Sequence, residues 1–217
     1  MFKKPIIVFE GIEGSGKTYH ISNVSKYLNK RNIEHIKLRE PGGTLNAERI
    51  RKLILNNRSN FNKNTDLLLY QAARSENISI LKKNYKKKVI LIDRFTDSTI
   101  AYQHYGLGVD LKLINFINKY LLKDLKVDFT FVNTVNKKNM IQRLKIRKNL
   151  NRYDKFRFNF YRKVQNGFLK LANKNKKKTL VINSNLDIDK NKSLVIEKIN
   201  KLIWLMEIPT TKSNYLV

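Results

Sequence analysis

The stretch Gly11-Ile12-Glu13-Gly14-Ser15-Gly16-Lys17-Thr18 matches the pattern G-x-x-x-x-G-K-[ST] of a phosphate-binding loop. A strand-like apolar run at residues 6–10 precedes it, and apolar residues with helical spacing follow it. Glycines here let backbone N–H groups turn inward and form an anion-binding nest at a helix N-terminus. The motif predicts that the Lys17 ammonium bridges the β- and γ-phosphates and that the Thr18 hydroxyl takes Mg²⁺. A tight turn that merely needs glycines is the alternative, and the pattern and its flanks together disfavour it.

Four more runs share the composition of residues 6–10, since each is short, mostly apolar and rich in Val, Ile or Phe. These runs are residues 35–39, 89–93, 129–133 and 180–183. The longer segments between them carry apolar residues three and four apart, for example Leu111, Ile114, Ile117 and Leu121. The alternation predicts an α/β fold, a doubly wound five-stranded parallel sheet flanked by helices.

The organisation of the chain indicates one domain. No linker, repeat or second composition regime interrupts residues 1–208 of the 217-residue sequence, and residues 209–217 lack periodicity and predict a loosely held tail. Hydrophobic residues make up 41% of the chain, enough to bury a core, so wholesale disorder is excluded. The sequence has no cysteine, which excludes a disulfide scaffold, a thiolate metal site and a thiol nucleophile.

The apolar runs indicate no membrane association. They are far shorter than the roughly 20 residues that cross a bilayer. The first ten residues begin like a signal peptide, but their apolar run is too short and leads directly into the glycine-rich turn. We therefore expect a cytoplasmic protein.

The chain is strongly basic, with 45 Lys and Arg against 17 Asp and Glu and a net charge of +28. Such a charge suits a nucleic-acid binder. The lysine clusters at 82–88 and 174–178, however, stand where helix-like segments end, and cations there complement the helix dipole. We favour solvated faces over a dedicated nucleic-acid stripe, so nucleic acid is not expected as a specific partner.

The loop alone does not identify the phosphoryl acceptor. A GTPase would also carry D-x-x-G and N-K-x-D, and the sequence has neither motif. Guanine specificity is therefore unsupported.

Further motifs follow the loop in a defined order. They are residues 9–18, 39–44 (Arg-Glu-Pro-Gly-Gly-Thr), 70–74 (Tyr-Gln-Ala-Ala-Arg), 93–103 (Asp-Arg-Phe-Thr-Asp-Ser-Thr-Ile-Ala-Tyr-Gln) and the arginine-bearing stretch 143–152. With these motifs the chain resembles the bacterial-type thymidylate kinases over nearly its whole length. The resemblance implies a P-loop kinase architecture with a helical lid at about residues 143–154. It also implies ATP as phosphoryl donor, dTMP as acceptor giving dTDP, a Mg²⁺ cofactor and a homodimer.

Tyr70 and Arg74 are four residues apart on a helical segment, so they share one face. An aromatic ring beside a guanidinium can stack on a base and hold its phosphate or carbonyl. A core tyrosine beside a surface arginine is the alternative. In the resembling family the aromatic residue stacks on thymine, where Phe is more usual than Tyr, and the arginine contacts the nucleotide.

The resemblance extends the acceptor site to other segments. It implies that residues 98–103 read the thymine edge and that Arg51 grips the dTMP phosphate, although Arg51 lies in an arginine-rich segment that could simply be a solvated face. The implied dTMP-binding set is Arg51, Tyr70, Arg74, Arg94, Ser98, Tyr102 and Gln103.

Asp93 and Arg94 end an apolar strand-like run, and ligands bind at the carboxyl ends of strands in open α/β sheets. Asp93 could steady Mg²⁺ together with Thr18 while Arg94 holds the acceptor phosphate, and the resemblance places both at the transfer site. Asp93 could instead cap the next helix, which is a common role for Asp.

Glu13 is an acid among anion-binding groups, which is unfavourable unless it has a task. The resemblance places it near the deoxyribose 3′-hydroxyl or a nearby water. Because this loop has no arginine, we expect the lid to supply cationic charge to the transferring phosphoryl group. The lid arginines are Arg143, Arg147 and Arg152. A basic amphipathic helix is the alternative, and Asn151 stands where the family usually has Asp, which bears on how Arg152 is oriented.

The expected catalytic residues are Lys17, Glu13, Asp93, Arg94, Arg147 and Arg152, and residues 11–18 with Arg143 are expected to bind ATP. A deoxynucleoside kinase is the second hypothesis, and it would offer no acceptor phosphate to the arginines. A nucleic-acid-binding P-loop ATPase is the third.

Overall fold

The structure, a computed structural model, describes residues 4–147 and 151–204. The expected tail at 209–217 and lid residues 148–150 lie outside the described residues. The strands are β1 (Ile6–Gly11), β2 (His35–Arg39), β3 (Val89–Asp93), β4 (Phe129–Thr134) and β5 (Thr179–Asn183). The helices are α1 (Lys17–Lys30), α2 (Leu45–Leu55), α3 (Lys63–Asn84), α4 (Thr96–Thr99), α5 (Leu111–Leu122), α6 (Lys137–Lys145), α7 (Phe158–Lys174) and α8 (Ile188–Trp204). A π-helix (Ile100–Gly106) continues α4, and two 3₁₀ helices cover Arg152–Lys155 and Lys176–Lys178.

The five strands form one parallel sheet in the order β2-β3-β1-β4-β5, which confirms the predicted fold. Each predicted strand is present, with ends within one residue of the prediction. The register pairs Phe9 of β1 with Asp93 of β3 and Gly11 with Asn133 of β4. The phosphate-binding loop after β1 therefore lies beside the turn after β3, at the carboxyl edge of the sheet.

Apolar side chains fill both sides of the sheet. Every residue of β1 is buried, as a central strand covered on two faces requires. Phe9 and Phe131 stack with ring centroids 5.1 Å apart on the side that α1 and α8 cover. Burying one such side chain contributes about 1.5–3 kcal/mol, so these helices are held mainly by packing.

Side-chain caps set where several helices begin. Thr44 accepts from the Ala47 N–H at the start of α2, and Asn62 accepts from two backbone N–H groups at the start of α3. Asp110 and Asn136 cap α5 and α6 in the same way. Such residues satisfy amides that have no partner within the helix, each contributing about 1 kcal/mol.

The lysine clusters lie at the edge of the sheet opposite the phosphate-binding loop. Lys82 and Lys83 occupy the last turn of α3, and Lys176–Lys178 follow the end of α7 directly before β5. Most of these side chains are exposed. This is the placement that the helix-dipole interpretation predicts. Within the described residues, none of the helices has the length and apolar character needed to span a membrane.

Candidate active site

A cavity of about 620 Å³ opens at the carboxyl ends of β1 and β3. It brings together most of the predicted site residues, which are Glu13, Gly14, Ser15, Gly16, Lys17, Thr18, Arg51, Tyr70, Arg74, Asp93, Arg94, Ser98, Tyr102, Gln103, Arg143 and Arg147. Gly11 and Ile12, the first two residues of the loop, are buried and do not line the cavity, and Arg152 also lies outside the lining.

The backbone of the phosphate-binding loop requires glycine at two positions. Gly11 has a φ of +139°, and a Cβ there would lie 2.3 Å from the Asn133 carbonyl oxygen. Gly16 adopts a left-handed conformation at the start of α1, which has no side-chain cap and no acidic residue in its first turn. The first amides of α1 are therefore available to an anion, and the helix dipole favours one there.

Lys17 is buried beneath this loop, with 7% of its surface exposed. Its Nζ donates to the carbonyl oxygens of Gly11 (2.9 Å) and Ile12 (3.0 Å). Burial and the neighbouring Arg94 guanidinium lower the pKa of Lys17 to about 8, although nearby carboxylates act in the opposite direction. The ammonium is thus held ready at the loop in a poorly solvated position.

Asp93 ends β3 beside the loop, and its Oδ1 is buried without a hydrogen-bond partner among the described residues. The proposed capping role is wrong, because the N-cap of α4 is Phe95. Asp93 and the exposed Thr18 both line the cavity. A carboxylate and a hydroxyl are oxygen ligands of the kind that Mg²⁺ prefers, usually with phosphate and water completing its coordination. The unpartnered oxygen therefore fits a Mg²⁺ site.

Glu13 and Arg94 form the central ion pair of the cavity. The Arg94 guanidinium donates to Glu13 Oε1 (2.9 Å) and to the Gly11 carbonyl oxygen (2.8 Å), and the Tyr102 hydroxyl donates to Glu13 Oε2 (2.5 Å). Burial alone would raise the pKa of Glu13, but Arg94 and Lys17 outweigh it, so the pKa is lowered and the carboxylate stays ionised. Arg94 has a φ of +66°, a left-handed conformation that is uncommon outside glycine and typical of functional sites.

Glu10 holds the turn that follows Arg94 in place, a role that the sequence analysis missed. The fully buried carboxylate accepts hydrogen bonds from the backbone N–H groups of Phe95 (2.8 Å) and Ser98 (3.1 Å) and from the Ser98 hydroxyl. Burial, reinforced by Asp97, raises the pKa of Glu10 to about 7. The sequence did carry a signal for this role, because Glu10 is an acidic residue at the end of an otherwise apolar strand-like run.

The side of the cavity formed by α3 and the π-helix is aromatic. Tyr70 on α3 lines it, with its ring edge-on to Tyr153 at a centroid distance of 6.1 Å. Tyr102 and Gln103 come from the π-helix, an irregularity often found at functional sites. Arg51 is half-buried in the lining and donates to the Pro41 carbonyl oxygen at 2.7 Å, so it does not belong to a solvated face.

Arg74 is 2% exposed at the floor of the cavity, so the surface-charge alternative is wrong. Its Nε pairs with Glu40 at 2.7 Å, and the other nitrogens donate to Asn118 (2.7 Å), Thr99 (3.0 Å) and Gln71 (3.3 Å). These bonds use four of the five N–H donors of the guanidinium. Arg74 therefore ties α3 to its neighbours and has little freedom to move.

The lid arginines have different surroundings. Arg143, in the last turn of α6, donates to the carbonyl oxygens of Gly14 (2.9 Å) and Ser184 (2.7 Å), so it lies across the phosphate-binding loop. Arg147 lies two residues beyond the end of α6, with a side chain that is 44% exposed and paired with Asp154 at 3.0 Å.

Arg152 does not line the cavity. Its guanidinium pairs with Asp66 of α3 and lies over the rings of Phe61 and Tyr153. Asn151 caps the 3₁₀ helix by accepting from the Tyr153 N–H at 2.9 Å. At this position, where the family usually has Asp, the Asn side chain therefore acts as a helix cap. Arg152 is oriented by Asp66, a contact across 86 residues that no local pattern predicts.

Comparisons with known proteins identify the family of this chain. The family model described as "Thymidylate kinase" matches residues 9–195. The chain is 39% identical over 202 residues to the thymidylate kinase of Wolbachia pipientis subsp. Culex pipiens, covering 90% of this chain and 95% of that protein. It is 31% identical over 194 residues to that of Kosmotoga olearia, covering 88% and 93%. A crystal structure of thymidylate kinase from Ehrlichia chaffeensis superposes with a TM-score of 0.73 at 34% identity, covering 91% of this chain and 98% of that one.

Proposed function

The chain belongs to the thymidylate kinase family, and from this premise we propose how its cavity performs the family's reaction. The enzyme is a phosphotransferase that converts ATP and dTMP to ADP and dTDP. The roles proposed for the site residues rest on one observation. The phosphate-binding loop faces the same cavity as a wall of aromatic residues and arginines, which includes Tyr70, Tyr102 and Arg94. They are joined where Arg94 donates to the Gly11 carbonyl oxygen at 2.8 Å.

The donor side is the loop at residues 11–18. Its amides and the N-terminus of α1 hold the ATP phosphates, and Lys17 bridges the β- and γ-phosphates. Arg143 lies over the loop and adds positive charge there. Thr18 and Asp93 would hold Mg²⁺, which when bound neutralises charge on the phosphate oxygens.

The acceptor side is the wall formed by α3, α4 and the π-helix. Tyr70 stacks on the thymine ring, and Ser98, Tyr102 and Gln103 line the base and sugar. The family role of Arg74 at the nucleotide fits its place on the cavity floor, where one N–H is not used by the bonds described above. This wall holds the acceptor in a fixed orientation, which lowers the entropic part of the barrier.

Arg51 and Arg94 hold the phosphate of dTMP, and Glu13 orients the deoxyribose. Glu13 is unsuited to accept a proton near neutral pH, because Arg94 and Lys17 lower its pKa. It therefore acts as a fixed acceptor for the 3′-hydroxyl or a nearby water. A nucleoside acceptor would leave the two arginines without an anion, which is why a deoxynucleoside kinase is not favoured.

Arg147 supplies the lid's positive charge to the transferring phosphoryl group. Its side chain is 44% exposed, which supports this role, because an exposed side chain has room to reorient when substrates bind. Arg152 holds the lid to α3 through Asp66 and does not itself reach the phosphates. Closing the lid also excludes water that would compete for the phosphoryl group.

Residues 1–208 form one P-loop kinase domain with a lid at about 143–154, and the protein acts in the cytoplasm as a homodimer. A row of exposed apolar side chains supports the dimer, since such rows commonly mark protein interfaces. On α5 these are Leu113, Phe116 and Tyr120.

A coupled assay of ADP release tests the function. ATP-Mg²⁺ is supplied with dTMP, dUMP, dCMP, dGMP or thymidine as acceptor, and fastest turnover is expected with dTMP. Turnover of thymidine as fast as that of dTMP would instead favour a deoxynucleoside kinase. ATP hydrolysis that rises with added DNA and not with dTMP would favour a nucleic-acid-dependent ATPase.

A further inference from the structure

Asp66 contacts both the lid and the acceptor side of the cavity. It lies on α3 one turn before Tyr70, and only 2% of its surface is exposed. Its Oδ1 accepts from the Arg152 guanidinium, and its Oδ2 accepts from the Tyr153 hydroxyl at 2.5 Å. Both of those residues lie near the C-terminal end of the lid, in the 3₁₀ helix Arg152–Lys155. The same Oδ2 accepts from Gln103 Nε2 at 3.4 Å, on the acceptor side of the cavity.

The chemistry of this carboxylate decides which way the Gln103 amide faces. A carboxylate paired with a guanidinium only accepts hydrogen bonds, whereas an amide has a donating and an accepting end. The NH₂ group of Gln103 must therefore face Asp66, because its Oε1 there would be repelled. Gln103 is 1% exposed and lines the cavity. With one N–H directed to Asp66, the amide keeps its accepting Oε1 and a second N–H for a ligand, and the Oε1 is the group that can accept from an N3–H.

We propose that Asp66 is a positioning residue for acceptor specificity, which selects a pyrimidine with an N3–H donor by fixing the Gln103 amide with its oxygen toward the base. Thymine and uracil carry this donor, whereas cytosine has an acceptor at N3. The inference rests on the proposed acceptor site at residues 70–103. Arg152 and Tyr153 hold both oxygens of the carboxylate in place, so its orientation is set before the substrate binds.

The test compares Asp66→Asn with the native full-length chain. An amide at position 66 can donate as well as accept, so Gln103 can turn its NH₂ toward the base and pair with N3 of cytosine. We expect kcat/KM for dTMP and dUMP to fall about tenfold, mainly through KM, and the preference for dTMP over dCMP to fall at least tenfold. The KM for ATP is expected to stay unchanged.

Two further variants separate positioning from stability. Glu76→Gln makes the same charge change at an exposed position of α3 and should leave all constants unchanged. The double variant Asp66→Asn with Gln103→Glu exchanges the carboxylate and the amide. The amide introduced at position 66 then donates to the carboxylate introduced at position 103. The other oxygen of that carboxylate again accepts N3–H, so the preference for dTMP over dCMP should recover.

If Asp66→Asn does not fold, Asp66→Asn with Arg152→Gln removes both charges of the pair and leaves no unpaired cation. The same loss of preference is expected there. An unchanged ratio of dTMP to dCMP in the folded variant, or no recovery in the exchange variant, would overturn the proposal. A native protein that makes no dTDP would refute the proposed function instead, and the two failures are therefore distinct.

Discussion

Lys17→Met removes the cation beneath the phosphate-binding loop while keeping the length of the side chain. The native Nζ lies 2.9 Å and 3.0 Å from the carbonyl oxygens of Gly11 and Ile12, in the middle of the loop. Charge on the phosphoryl oxygens grows in the transition state, so the loss should appear in kcat. Removing one such group from an enclosed site typically costs about 10²–10³ in kcat, or about 2.7–4 kcal/mol.

The stability of the variant should change little. The two carbonyl oxygens lose a donor, which costs about 1–3 kcal/mol for each that stays unsatisfied. Against this, burial of the ammonium is unfavourable, as shown by the lowering of its pKa from 10.5 to about 8. That shift corresponds to roughly 3 kcal/mol, so the two effects largely cancel.

The pH profile gives an independent check. In the native free enzyme Lys17 is protonated below its pKa of about 8 and loses the charge above it. We therefore expect kcat/KM for ATP to fall above about pH 8, and Lys17→Met to lack that descending limb. ADP release with saturating dTMP is the assay, and Lys30→Met, an exposed position at the far end of α1, is the control. A variant that keeps more than about a tenth of the native kcat would refute this account of Lys17.

Three other substitutions test the remaining roles. Tyr70→Ala should raise KM for dTMP about 5- to 100-fold through loss of stacking while leaving KM for ATP in place, and steady-state kinetics with an unchanged KM for dTMP would exclude stacking. Arg147→Ala should lower kcat about 10²–10³-fold in single-turnover experiments, with dTMP affinity preserved; simultaneous loss of ATP and dTMP binding would show a structural role. Glu10→Gln should flatten the dependence of melting temperature on pH. The folded-state pKa of Glu10 is raised from 4.5 to about 7, so its contribution is full below the unfolded value and is lost as pH rises through about 7. Equal slopes in native and variant melting curves would contradict this.

The fold could be predicted because its evidence is local. A central parallel strand is buried on both faces, so β1 and β3 appear in the sequence as uninterrupted apolar runs. The phosphate-binding loop is likewise contiguous, and its glycines occupy backbone conformations that other residues rarely adopt. The predicted ends of β1 and β4 are one residue too early, because Gly11 and Thr134 pair in the sheet although they are not apolar.

The site was predictable only in part, because several of its contacts join distant segments. Arg152 looks in sequence like a third lid arginine, yet its partner Asp66 is 86 residues away. Arg74 shares a face with Tyr70 as predicted, but four of its N–H groups are used within the protein, including one to Glu40. Helical spacing shows which side chains share a face and cannot show which of them already have partners.

The carboxylates beside the site arginines explain how a chain of net charge +28 keeps its cations in defined places. Arg94 pairs with Glu13, whose pKa is lowered although burial opposes the shift, so that pair is tightly held. Arg147 pairs with Asp154, whose pKa is raised because burial outweighs the attraction of the half-exposed guanidinium. The second pair is therefore the easier one to break. In the proposed mechanism Arg94 stays beside the acceptor and Arg147 turns toward the phosphoryl group, so the strength of each pairing suits the role proposed for that arginine. The lid movement proposed above would therefore break the weaker pair and leave the stronger one in place.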